Sequence, residues 1–115
     1  MSFTAKQVIE QARQQCNDKD ATDWGSAEFF SALNDCISFL YSNYPECRLD
    51  ADGVLTALTT ISDLDTVVPL SDEYRPGVAE YLMYRFFDSD AGDTRDIKQR
   101  TAHLERFSEL IGAKA

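Results

Sequence analysis

The chain has 115 residues, and its 43% apolar content, with 12 Phe and Tyr and one Trp, is too rich for a disordered polymer. That length suits one domain with one modest core. A net charge of −9, from 20 acidic and 11 basic residues with no run of three cations, excludes the clustered positive charge on which nucleic-acid affinity rests.

The expected fold is mainly α: a small four-helix bundle-like domain spanning residues 1–115, with a short hairpin or extended arm between its second and third helices. The first helix is expected over about 4–17. Thr4 and Gln7 have capping-box spacing, Phe3 can staple onto Val8, and Ala5, Val8, Ile9, Ala12 and Cys16 recur at helical spacing. The second is expected over about 26–44, with Glu28 in its first turn, where the helix dipole favours an anion. Phe29, Phe30, Leu33, Ile37, Leu40, Tyr41 and Tyr44 form its wide apolar stripe, and Pro45 stops it. This breadth makes it the expected central helix.

Residues 46–70 change character. Asp50-Ala51-Asp52-Gly53 is a turn signal, so Cys47–Leu49 and Val54–Thr56 are read as a small hairpin, with a strand or extended arm up to Leu70. From Leu49 to Tyr74 there are six carboxylates and no Lys or Arg. The third helix is expected over about 72–89, its regular part starting near Pro76. Val78, Tyr81, Leu82, Met83, Tyr84, Phe86 and Phe87 cover more than one side of it, which points to a central position or a second partner. After Asp88-Ser89-Asp90-Ala91-Gly92, the fourth helix is expected over about 94–111, ending at Gly112. Ile97, Leu104, Phe107 and Ile111 mark its inner face.

Little in this pattern carries covalent chemistry, and the chain is read as a non-enzyme without cofactor or metal. His103 is the sole histidine; with no nucleophile in a recognisable elbow, it is expected to be a partly exposed helix residue. The acidic clusters beginning at Asp18, Asp50 and Asp88 each fail the EF-hand ligand pattern and read as turns and caps. Ser89 lacks the following Leu and the helix-start position of an acyl carrier's Asp-Ser-Leu. Cys16, Cys36 and Cys47 are odd in number and lack CxxC spacing, so neither a disulfide framework nor a zinc site is expected. Neither a signal peptide nor an apolar run of the ~18–20 residues needed to span a bilayer is visible, so a reducing cytoplasm is the expected place of synthesis and no membrane partner is expected.

Two segments carry a resemblance: WGSAEFFSALNDCISFLYSNYPE at 24–46, and PLSDEYRPGVAEYLMYRFFDSD at 69–90, followed by LERFSELIG at 104–112. Their order resembles the head–tail adaptor (connector) proteins of tailed bacteriophages. The matching positions are Trp24, Glu28, Leu33, Asn34, Asp35, Pro45, Tyr74, Tyr81, Tyr84, Arg85, Asp88, Asp90 and Phe107. The middle segment is shorter than in many relatives, and almost no C-terminal arm follows Gly112.

The resemblance implies a virion structural protein of the neck, assembled in the host cytoplasm. It implies a homo-oligomeric ring, commonly of twelve copies, beneath the portal protein, with a tail or nozzle protein on its other side and DNA passing through without specific binding. Asn34, Asp35 and Arg85 are then expected to form a buried polar contact fixing the second helix to the third. Tyr74, Tyr81, Tyr84, Phe87 and Arg106 are candidates for subunit or portal contact, as is Trp24 unless it anchors the start of the second helix. Asp50, Asp52, Asp63 and Asp65 are candidates to face the channel, where twelve chains at −9 total roughly −108 and repel DNA. The alternative is a small DNA-handling or regulatory protein, terminase-related or helix-turn-helix. The fourth helix, with Arg95, Lys98, Gln99 and Arg100, is its only candidate reader.

Overall fold

A computed structural model describes residues 2–15, 25–49, 52–88 and 94–112. In chain order these form β1 (Ser2–Thr4), α1 (Ala5–Gln15), α2 (Ser26–Asn43), a 3-10 turn (Pro45–Arg48), β2 (Val67–Ser71), a second 3-10 turn (Asp72–Tyr74), α3 (Arg75–Asp88) and α4 (Thr94–Gly112). The domain is mainly helical, with a two-stranded antiparallel sheet beside the helices.

Local chemistry sets the helix ends. At the start of α1 the capping box is closed in both directions: Thr4 N–H donates to Gln7 Oε1 at 2.9 Å, and Gln7 N–H donates to Thr4 Oγ1 at 3.3 Å. α1 buries Ala5, Val8, Ile9 and Ala12, with Phe3 just before them also in the core. α2 ends before Pro45, because a residue preceding proline is pushed out of the helical region. Tyr44 obeys with φ −132° and ψ 80°, while its N–H still closes the last turn on Leu40 O at 2.8 Å.

α3, rather than α2, is the central helix. It packs against α1, α2 and α4, and no residue from Gly77 to Phe87 is fully exposed. The two-sided apolar surface of this segment is therefore used inside the monomer. Close approach of α4 depends on Gly77: a Cβ there would lie 2.8 Å from Ile111 Cδ1. On α4 the inward row is His103, Phe107 and Ile111, at a strict spacing of four, and Leu104 lies at the edge with 39% exposure. The reading of Leu104 as an inner-face residue is thus corrected. With His103, Phe107 and Ile111 forming the inward row, the step of about 100° from 103 to 104 carries Leu104 to its edge.

The expected hairpin shrinks to a single antiparallel bridge, Leu49 to Leu55, reinforced by Thr56 N–H donating to Arg48 O at 2.6 Å. Cys47 belongs to the 3-10 turn instead of a strand. Gly53 takes φ +78°, the left-handed turn conformation that glycine adopts without strain. Beyond it the chain runs to Ile61 without helix or strand apart from the Leu55 bridge, turns at Asp63–Asp65, and enters β2, which pairs with β1 at Ser2–Ser71 and Thr4–Val67. Pro69 is tolerated because each strand of a two-stranded sheet is an edge strand.

Candidate protein-docking surface

Three residues of α2 and its following turn hold the extended arm. The Asn34 amide behaves like a neighbouring strand: its Nδ2 donates to Ile61 O at 2.9 Å and its Oδ1 accepts from Ile61 N–H at 2.7 Å. The Tyr41 hydroxyl donates to Pro69 O at 2.9 Å and reaches Thr56 O at 3.3 Å. Arg48 turns its guanidinium back, donating from Nε at 2.7 Å and from Nη2 to Tyr41 O. At the far end Ala5 N–H donates to Thr66 O and Lys6 N–H to Leu64 O, both at 2.9 Å, so the first turn of α1 closes the loop.

What the arm displays is apolar. Val54, Leu55 and Leu58 are 60%, 70% and 57% exposed, and Leu49 and Val67 extend the strip at either end. Beneath Leu55 and Leu58 an open groove of about 530 Å³ runs along α2, floored by Ser38, Tyr41, Ser42 and Arg48. Isolated exposed apolar residues are ordinary, whereas several in one extended segment mark a contact surface.

The expected contact of Asn34, Asp35 and Arg85 is corrected in two respects. Arg85 Nη1 does meet Asp35 Oδ2 at 2.8 Å and the Tyr81 hydroxyl at 3.1 Å. However, the Arg85 and Asp35 side chains keep 29% and 57% of their exposure, so the pair is not buried and contributes about 0.2–1 kcal/mol. Asn34 takes no part in it, because adjacent helical residues face different directions.

The aromatic candidates separate. Tyr74 is 6% exposed and belongs to the core, with its phenol ionisation pushed up by burial. It closes the 3-10 turn just ahead of α3, four residues before Val78 and eight before Leu82, in register with the inner row of that helix. This placement contradicts its reading as an interface residue. Tyr81 and Tyr84 are half-buried and meet edge to face at 5.7 Å; Tyr81 also packs on Phe107 at 5.2 Å. Burial raises the Tyr81 ionisation too, against the opposing pull of Arg85. Phe87 is half-buried between Phe86 and His103, and Arg106 is exposed.

Of the acidic candidates, Asp52, Asp63 and Asp65 are exposed. Asp63 has a structural task as well: its Oδ1 accepts Asp65 N–H at 2.8 Å and its O accepts Thr66 N–H at 3.2 Å, forming the turn into β2. Trp24, Asp50, Cys16, Asp18, Ser89 and Asp90 lie outside the described residues, and nothing is described of the Asp88, Arg95 and Ile97 side chains.

His103 is the largest departure from expectation. It is buried at 6% exposure, its Nδ1 lies 2.5 Å from Glu80 Oε2, and its ring stacks on Phe87 at 5.6 Å and 4°. The contact satisfies both buried polar groups at once, with one proton held between Nδ1 and Oε2. The signal was present in the sequence, since His103 shares the four-residue spacing of Phe107 and Ile111. Among the described residues no group of three or more His, Cys, Asp or Glu side chains is arranged to hold a metal ion, and no helix is long and apolar enough to cross a membrane. No family model, curated protein or solved structure matches this chain.

Proposed function

We propose that this chain is a structural adaptor subunit of a tailed-phage neck, joining a ring of its own copies to the portal on one side and to a tail or nozzle protein on the other. The observation that carries the reading is the division of the domain into a rigid helical body and one apolar, exposed arm. The body is fixed by α3 against three neighbours, and the arm presents Val54, Leu55 and Leu58. A subunit of a stacked ring needs these two parts, a body that keeps its shape under load and a surface that finds another chain. The residue pattern at 24–46, 69–90 and 104–112 adds the resemblance to adaptors, and the net charge of −9 suits a wall along which DNA slides without sticking.

The test is native mass spectrometry of the purified chain, alone and with the portal ring encoded in the same genome. Expected is addition of the chain to the portal in a multiple that matches the portal's symmetry. A genome lacking a portal gene, or a portal ring that stays bare at micromolar chain, refutes the reading. A free chain that is monomeric without the portal is compatible with it, since the ring then forms on its template.

A further inference from the structure

The arm is fastened at Thr56 and again at Ile61, and between these two points its backbone makes one local contact, the Thr59 hydroxyl donating to Ala57 O at 3.4 Å. Among the described residues, the N–H groups of Ala57, Leu58, Thr59 and Thr60 donate to no other group, and all four residues are exposed. Val54-Leu55-Thr56-Ala57-Leu58-Thr59-Thr60 is rich in β-branched residues, lies outside any helix, and is free of charge. An exposed apolar edge of this kind is a template on which another chain lays down a strand. The groove floored by Ser38, Tyr41, Ser42 and Arg48 lies beside it, open to receive alternate side chains of that strand.

The charge around the edge selects the occupant. From Leu49 to Tyr74 every charged side chain is a carboxylate, and the cation that lines the groove, Arg48, has its guanidinium turned onto the Tyr41 carbonyl. A second copy of the chain would bring the same carboxylates and another −9. We infer that residues 54–60 are a docking edge for an extended segment of a different protein, one that alternates apolar residues with Lys or Arg. Backbone pairing to 57–60 and burial of Leu55 and Leu58 supply the attraction, and the carboxylates set its preference for a basic strand. The inference stands on the arm alone and holds whether or not the chain belongs to a phage neck.

The probes are two short labelled peptides, one alternating valine with lysine and one alternating valine with glutamate, titrated by fluorescence anisotropy at about 150 mM salt, where loose surface attraction is largely screened. Hydrogen exchange is read in parallel. Expected is binding of the lysine peptide with new protection at residues 57–60, no binding of the glutamate peptide, and at least a tenfold loss of affinity in L55S/L58S. Both leucines are exposed, so that variant should melt with wild type, and a circular-dichroism melt checks this. Equal binding of the two peptides, protection elsewhere on the molecule, or affinity unchanged in L55S/L58S overturns the inference. Sedimentation showing that the wild type self-associates and that L55S/L58S does not overturns it as well, by assigning the edge to a second copy.

Discussion

Replacing Asn34 by alanine removes a side chain that, alone among those of the described residues, pairs with both the N–H and the C=O of one arm residue, and its effect follows from the geometry. Two hydrogen bonds are lost, at 2.9 and 2.7 Å, each contributing about 1 kcal/mol net. Ile61 is 2% exposed, so its stranded N–H and C=O add part of a desolvation penalty of about 1–3 kcal/mol each, reduced by whatever water enters beside the shortened side chain. The sum is about 2–4 kcal/mol, or a melting point lower by roughly 8–16 °C at about 4 °C per kcal/mol for a domain of this size. N34D keeps the acceptor for Ile61 N–H and sets a carboxylate against Ile61 O, so it should also destabilise while leaving the Ile61 amide partly protected. Thermal denaturation gives the global cost, and hydrogen exchange at the Ile61 amide gives the local one. If N34A melts within about 1 °C of wild type with Ile61 still protected, the arm is held by something other than this amide and the reasoning fails.

Three other outcomes follow from the same structure. His103→Ala should strand the largely buried Glu80 carboxylate and lower stability by about 2–4 kcal/mol, whereas E80M/H103L removes both polar groups and should cost less than the sum of the two single changes; urea midpoints that simply add refute the pairing. G77A should destabilise by about 1–2 kcal/mol despite alanine's better helix propensity, and I111V, which removes the Cδ1 atom 2.8 Å from the new methyl, should recover part of that loss when combined; strict additivity in urea counts against the contact. Burial pushes the Cys47 thiol from its ordinary 9.0 up to about 11, and it also raises the Tyr41, Tyr74 and Tyr81 phenols above 10.0. Groups with raised folded-state values stabilise fully below their unfolded values and lose that contribution as pH climbs through the folded ones. The melting point should therefore be insensitive to these groups up to about pH 9 and fall between pH 9 and 11; a level or rising profile across that window contradicts the burial.

The parts of the fold that were legible in the sequence are those settled within one or two turns of chain. Thr4 and Gln7 announce the start of α1 because both capping bonds close over three residues, and Pro45 ends α2 through its own ring. What escaped depends on distance or on helical angle. β1 has three residues, too few to show alternation, and its partner lies more than sixty positions away. The wide stripe on α2 made it look central, while the run from Gly77 to Phe87, none of it fully exposed, gives that place to α3, because α3 packs broadly on α1, α2 and α4 whereas α2 meets α4 at the Phe39–Phe107 ring pair. Asn34 and Asp35 were grouped by adjacency, yet the 100° between them sends one to the arm and the other to Arg85. Tyr74 and His103 were judged by residue type, when their four-residue register with Val78 and Leu82, and with Phe107 and Ile111, already placed them inside.

The cations show how interior architecture shapes the surface. Arg13 lies over the Phe29 ring at 4.7 Å, Arg48 is bound to the Tyr41 carbonyl, Arg75 donates to Gln11 Oε1 at 3.0 Å, and Arg85 joins Asp35 to Tyr81. Four of the 11 basic residues are thus committed to holding the domain together, and their planar donors suit carbonyls and rings better than a lysine would. The carboxylates of the arm and its flanks, Asp52, Asp63, Asp65, Asp72 and Glu73, stay at the surface. The arm and its flanks thus expose carboxylates and leucines in one stretch of chain free of cations. Exposed carboxylates repel a phosphate backbone at long range, and burial of leucines at contact supplies adhesion that charge in water cannot. On the inference drawn above, the two act together: acidity sets the class of partner, and the leucines hold it.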